Sequence, residues 1–343
     1  MKITHAFIAA KEVLKSNFLL GTQYPLSVYI SVTDRCPHAC EYCNIPNRRL
    51  REMSTQEIIA LIRQIKEAGA VRLQIVGGEP LLRDDIGKIV DYAKESGLYV
   101  STSSTGFPKE KIASIKNIDM LFLSFDGEKE VHDYQKGQGR YENLMEAMDI
   151  LKKLKVNFCT TTVFTKINKD SMDFILRTAQ EKRFTALFQP LYYTLVNYTN
   201  HFHLANVASK FVLSNEEMRK IFNKLIVAKR NGAPIASSLP YLEYLSEWQD
   251  YRKIYSPQKH KGIKCWAGRL YCYIDTNGLL YPCGDSIGVV EGMDCLESGF
   301  KEAFSKINLN RNCQSCIVAC DLEKNLMFSL NIKTIINWLK LVM

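Results

Sequence analysis

The sequence predicts an α/β protein in which six parallel strands are joined by helices and followed by a small cysteine-rich unit. Three observations carry this. From Leu26 to about Leu191, β-rich runs alternate with helical patterns, which calls for parallel strands with crossover connections. After about Pro234 the alternation gives way to an aromatic-rich stretch. Finally, seven of the eleven cysteines fall between Cys265 and Cys320. The alternation alone fits a half-open barrel, a full barrel or an open doubly wound sheet, because periodicity does not report closure.

Residues 1–25 begin with Phe7, Ala10, Val13, Leu14 and Phe18 at helical spacing, interrupted by Lys2, Lys11 and Lys15. That segment is too charged for a spanning helix or a signal-peptide core and reads as an amphipathic helix that caps the fold or touches a membrane surface. Residues 26–233 hold the strands SVYISV, VRLQIV, LYVSTS, MLFLSF, VNFCTTTVF and FTALFQPL. The first helix follows a capping box of Ser54 and Glu57, carries Ile58, Leu61, Ile62 and Ile65 on its apolar face, and ends at Gly69. The same spacing recurs in DDIGKIVDYAKESG, in YENLMEAMDILKK and in SNEEMRKIFNKLIVAKRNG, where Ser214 and Glu217 form a second box. Residues 234–258, containing PYLEYLSEWQDYRKIYS, read as a helical connector. Residues 259–322 form the cysteine-rich unit, and 323–343 a second amphipathic helix. Ile332, Ile335, Ile336, Leu339 and Leu341 make its apolar stripe, with Trp338 and edged by Lys333 and Lys340.

With 343 residues and 46% hydrophobic content, the chain can bury a sizeable core. Its net charge of +9 fits an anionic substrate, a nucleic acid or an anionic membrane, but no block of like charge stands out. Clustered Lys and Arg with exposed aromatics, the mark of a nucleic-acid module, are not found. No export signal is evident, so the expected compartment is the cytoplasm, where the cysteines serve as metal ligands in preference to disulfides.

Immediately after the first strand stands TDRCPHACEYCN, with Cys36, Cys40 and Cys43 separated by three and then two residues. Three thiolates from one short loop suit an iron–sulfur cluster; a structural zinc usually takes a fourth nearby ligand, and only His38 lies in this loop. One iron is left for an exogenous nitrogen and oxygen. The spacing, the aromatic Tyr42 and the strand context resemble the CxxxCxΦC signature of the radical S-adenosylmethionine (SAM) superfamily. Val76–Pro80 (VGGEP) resembles that family's GGE motif, which implies SAM contacts from Gly77, Gly78 and Glu79. SSTG is similar to the family's TNG and implies polar SAM contacts from Ser104 and Thr105. The run LSFDGEKEVHDYQKGQGRYENLMEA resembles a further stretch, with Ser124 as a ribose-side candidate and His132 and Asp133 as loop organisers. Lys136 stands where arginine is usual, so the arginine's role is in doubt here. The resemblance spans about residues 26–191 and implies a partial (β/α)6 barrel.

In CWAGRLYCYIDTNGLLYPCGD, two β-like runs flank Asn277 and Gly278, a hairpin signal that returns Cys283 beside Cys265. CQSCIVAC then supplies Cys313, Cys316 and Cys320. The region looks like the twitch half of the SPASM extension: twelve residues separate Cys265 from Gly278 and four separate Gly278 from Cys283. That resemblance implies an auxiliary [4Fe–4S] cluster on Cys265, Cys283, Cys313 and Cys316, with Cys320 as substitute for either of the last two. A zinc ribbon is the plain alternative. Cys272 and Cys295 would be needed for a second auxiliary cluster; singly, Cys272 and Cys159 read as packed strand residues.

The resemblance implies an oxidoreductase or lyase whose [4Fe–4S] cluster reductively cleaves SAM to a 5′-deoxyadenosyl radical, which then takes a hydrogen atom from substrate. It also implies an electron donor such as flavodoxin or ferredoxin. A small polar metabolite is the first expectation for the substrate, a peptide or protein side chain the second, and a lipid or isoprenoid at a membrane surface the third. No acid–base dyad is evident, so no catalytic side chain is assigned. A non-enzymatic electron carrier, the contrasting class, would need neither an open iron nor GGEP.

Overall fold

The computed structural model describes residues 3–18, 23–38, 40–192, 208–309 and 313–342. Six strands, β1 (Ser27–Ser31), β2 (Arg72–Val76), β3 (Tyr99–Ser104), β4 (Met120–Ser124), β5 (Phe158–Phe164) and β6 (Thr185–Pro190), pair in parallel in sequence order. A doubly wound sheet reverses its order at a switch point, whereas unbroken order in one direction is the arrangement of a barrel. The sheet does not close, because the free side of β1 is taken by another segment and β6 is left at the edge.

The helices are α1 (Ile3–Phe18), α2 (Thr55–Glu67), α3 (Ile86–Glu95), α4 (Lys129–Lys136), α5 (Arg140–Lys153), α6 (Met172–Glu181), α7 (Ala208–Phe211), α8 (Asn215–Arg230), α9 (Leu239–Ser246), α10 (Phe300–Ser305), α11 (Ala319–Phe328) and α12 (Ile332–Val342). Both capping boxes form, at Ser54 with Glu57 and at Ser214 with Glu217. One face of the strands, with Val28, Ile30, Leu73, Ile75, Leu121 and Leu123, packs in a single core with Ile58, Leu61, Ile62 and Ile65 of α2. Each fully buried aliphatic side chain there contributes roughly 1.5–3 kcal/mol. The alternate positions of β2 and β3 carry polar pairs: Arg72 donates to Ser101 at 3.3 Å and Gln74 to Ser103 at 3.5 Å. The inner face is thus polar at β2 and β3 and apolar where Met120, Phe122 and Cys159 cluster.

Two expectations change. The connector is helical only as far as Ser246. Beyond it the Trp248 indole donates to the carbonyls of Asp250 (2.9 Å) and Lys253 (3.2 Å), and Asn215 accepts from the Tyr251 amide, which hold a turn in place of a helix. β7 (Tyr255–Ser256) follows and pairs with β11 (Ser315–Cys316). The cysteine-rich unit also shares the barrel's sheet. β8 (Tyr271–Ile274) runs parallel to β1, with Ser27 opposite Tyr271 and Ile30 opposite Ile274. β9 (Leu279–Tyr281) and β10 (Met293–Asp294) extend it antiparallel to a nine-stranded sheet.

The terminal helices pack on the fold with part of their apolar surface. Val13 of α1 is buried with Trp266 and Phe328, while Leu14 and Phe18 are exposed. In α12, Trp338 packs on Tyr99, Met120, Phe122 and Cys159 inside the sheet and its indole donates to Glu323 at 3.1 Å. Ile332, Ile336 and Leu339 face outward. No described helix is long and apolar enough to cross a membrane.

Candidate functional site

The three cysteines of TDRCPHACEYCN lie on the loop leaving the C-terminal end of β1. The loop is held first by the glycine pair after β2. Gly78 N–H donates to Thr33 O at 2.7 Å and Glu79 N–H to Arg35 O at 2.8 Å, so the two strand ends continue pairing past the sheet. A Cβ on Gly77 would stand 2.4 Å from Thr33 O, and one on Gly78 would stand 2.4 Å from Arg35 O. Only glycine permits that approach, directly before Cys36.

Glu79, at 0% exposure, is the centre of a small hydrogen-bonded cradle. Its carboxylate accepts from the Ser104 hydroxyl (2.7 Å), the Thr105 amide (2.7 Å) and the Leu81 amide (3.2 Å), and lies 2.6 Å from the Thr105 hydroxyl, whose single hydrogen it shares with His38. Burial raises its pKa, against the pull of these donors. Gly77, Gly78, Glu79, Ser104 and Thr105 are thus brought together beside the cysteine loop. Ser124, at the end of β4 opposite Thr161, stands outside this hydrogen-bonded group.

His38 and Lys136 brace the loop from the other side. His38 bridges the Thr105 hydroxyl (Nε2, 2.6 Å) and the Lys136 carbonyl (Nδ1, 3.0 Å), so both ring nitrogens are occupied. Burial pushes its pKa down to about 4, which keeps the ring neutral. The Lys136 ammonium reaches the Tyr42 hydroxyl at 3.2 Å, Cys40 Sγ at 3.7 Å and the Asp126 carboxylate at 3.2 Å. Burial would strip its proton, but Asp126, with Cys40 and Tyr42, wins and holds its pKa well above the ordinary lysine value. Asp133 accepts from the amides of Gly139 (3.0 Å) and Tyr141 (2.7 Å), and His132 accepts from the Asp126 amide at 3.3 Å, so both organise the loop around α4.

Cys36, Cys40 and Cys43 influence one another electrostatically, which places them as neighbours. Burial first, and then Glu79 and the neighbouring thiols, pushes Cys36 up to about 12, and burial followed by Cys40 pushes Cys43 up to about 11. Three cysteines on one loop fit a cluster that offers a separate iron to each. Among the described residues no three His, Cys, Asp or Glu side chains converge closely enough to hold a single metal ion. A cubane, which bears its thiolates on different irons, does not require that convergence.

The second thiol group is assembled from four places. Cys265 precedes β8, Cys283 follows β9 across the hairpin, Cys313 precedes β11 and Cys316 ends it. Burial raises the pKa of all four, and the thiols add to one another's shift: Cys283 feels Cys313 and Cys265, and Cys316 feels the same pair. Cys320, in the first turn of α11, has Asp321, Lys324, the Tyr29 hydroxyl and Asp285 as its neighbours, and Asp321 and Asp285 are also neighbours of Cys283. Cys272 and Cys295 lie together in the apolar core, and Cys159 packs under Trp338.

Sequence reasoning missed the link between the two thiol groups. Arg48, 2% exposed, donates to both oxygens of Asp34 (3.0 and 3.3 Å) and to Asp275 in the hairpin turn. Asp34 also accepts from Thr276, whose hydroxyl meets Ser31 at 2.7 Å. The residues flanking the first cysteines are thereby latched to the turn that presents Cys283. No local pattern marks this link, since Arg48 and Asp34 stand among other charges of the same stretch, Arg35, Glu41, Arg49, Arg51 and Glu52.

Residues 30–179 match the family described as the radical SAM superfamily. The chain is 26% identical over 324 residues to the mycofactocin maturase MftC of Mycolicibacterium smegmatis, an alignment covering 88% of this chain and 78% of MftC. Its fold is similar to that of Streptococcus suis SuiB bound to the precursor peptide SuiA, with a TM-score of 0.65 and 15% identity over 88% of this chain and 69% of SuiB. It is likewise similar to anSMEcpe with bound AdoMet, with a TM-score of 0.62 and 15% identity over 91% of this chain and 99% of that one.

Proposed function

We propose that this chain, which carries a radical SAM domain at residues 30–179, is a maturase that modifies a peptide or protein side chain by hydrogen-atom abstraction. With its cofactors bound, the site would supply a reducing [4Fe–4S] cluster and SAM, the source of a 5′-deoxyadenosyl radical. Cys36, Cys40 and Cys43 would hold that cluster, while Gly77, Gly78, Glu79, Ser104 and Thr105 would form the wall against which SAM is seated. Lys136 would brace the cysteine loop through Tyr42 and Cys40. Cys265, Cys283, Cys313 and Cys316 would hold an auxiliary cluster that assists oxidation or bond formation.

The observation that carries the reading is the junction of the two thiol groups across one sheet, through β1 with β8 and through Arg48. A substrate seated over the half-barrel would lie between a radical source and an electron acceptor. The maturase relative, aligned over most of both chains, favours a peptide over the small metabolite expected from the sequence.

The test is anaerobic reconstitution of the full chain, assay of 5′-deoxyadenosine from SAM under reduction, and a search for deuterium transfer from labelled peptides and labelled metabolites. Roughly eight irons per chain and label transfer from peptide are expected. Absence of SAM cleavage would sink the radical SAM reading, and label transfer from metabolites alone would sink the peptide reading.

A further inference from the structure

We infer that Lys136 sets the reduction potential of the cluster held by Cys36, Cys40 and Cys43, an inference that rests on the function proposed above. Lys136 is the last residue of α4, where the helix dipole favours a cation, and its side chain is 8% exposed. It grips the cysteine loop twice. Its carbonyl holds His38 at 3.0 Å, and its ammonium stands 3.7 Å from Cys40 Sγ and 3.2 Å from the hydroxyl of Tyr42, two residues further along the loop.

A clamp alone would not require a charge here. Burying an ammonium is costly unless an opposite charge is buried with it, and Asp126, 1% exposed, supplies that charge at 3.2 Å. An amide or an apolar side chain would brace the loop without either burial. What the ion pair adds is a fixed orientation: its positive end lies against the Cys40 sulfur and its negative end behind.

Reduction of a cluster adds negative charge to the iron and its thiolates, so a cation held against a ligand sulfur favours the reduced state. Lysine does this as a compact point charge, where a guanidinium would spread the charge over a planar fork. Removing the charge makes the cluster harder to reduce.

The test is an EPR-monitored redox titration of the reconstituted full chain, following the signal that changes when SAM is added. Lys136→Met and Lys136→Gln are each expected to shift the reduction equilibrium at least tenfold, a midpoint about 59 mV more negative for a one-electron couple. Lys136→Arg, which keeps the charge, is expected to recover most of the shift. Midpoints of both neutral variants within error of the parent would overturn the inference, as would an equal shift in Lys136→Arg. Loss of iron in both neutral variants, with Lys136→Arg retaining it, would make Lys136 a loop clamp and also overturn it. A first-cluster signal that ignores SAM in the parent would instead sink the underlying function.

Discussion

The first thiol group lies within eight residues of one loop, Cys36 to Cys43, whereas the second is gathered from Cys265, Cys283, Cys313 and Cys316 across a hairpin and a second small sheet. The first is shaped by its own spacing and fastened by GGEP and Lys136. The second exists only because β8 and β9 return on each other and β11 pairs with β7. A compact site tolerates motion of its surroundings, while a distributed one is as stable as the contacts between its segments.

That contrast can be broken most sharply at the ligands. Cys36→Ser is expected to abolish 5′-deoxyadenosine formation and remove about half the iron, leaving the auxiliary signal in the EPR spectrum. Cys283→Ser should also lose about half the iron but keep SAM cleavage, with modified peptide no longer formed. Cys320→Ser should leave the iron content unchanged. Loss of iron in that variant would move the ligand set from Cys316 or Cys313 to Cys320.

Arg48 probes whether the two regions are independent. Arg48→Met leaves Asp34 and Asp275 buried without their cation, and a loss of about 3–5 kcal/mol is expected from urea unfolding of the apoprotein. Both iron sites should load less completely. If only the first loses iron, the latch is local and the two thiol groups stand apart.

The smallest effect is confined to the first region and depends on pH. Burial pushes His132 down to about 4 from an ordinary 6.5, so the folded chain resists a proton that the unfolded chain accepts. The associated stability is complete above about pH 6.5 and is lost as pH falls toward 4, a change of roughly 3 kcal/mol. His132→Gln should flatten that part of the slope between pH 7 and 5 in urea midpoints, with little change at pH 7.5.

The barrel's elements were legible because each depends on neighbours in sequence. Ser54 and Glu57 cap α2, Ile58 to Ile65 face the core at helical spacing, and Gly77 and Gly78 stand where a Cβ would strike the cysteine loop. The helix expected past Ser246 failed because Trp248 bonds carbonyls of its own turn, a local competition that periodicity does not weigh. The stripe expected on the last helix divides between Trp338, which packs on β3, β4 and β5, and Ile332, which is 70% exposed.

The sequence by itself determined the first cysteine loop, the glycine–glutamate turn and the alternation of six strands with helices, since spacing along the chain suffices for each. The tertiary structure alone decided that β8 lies beside β1, that Arg48 joins the two regions and that Lys136 rests on Cys40. Those pairings span roughly 90 to 240 residues of chain. At that separation proximity comes from the packing of whole elements, and no local pattern encodes it.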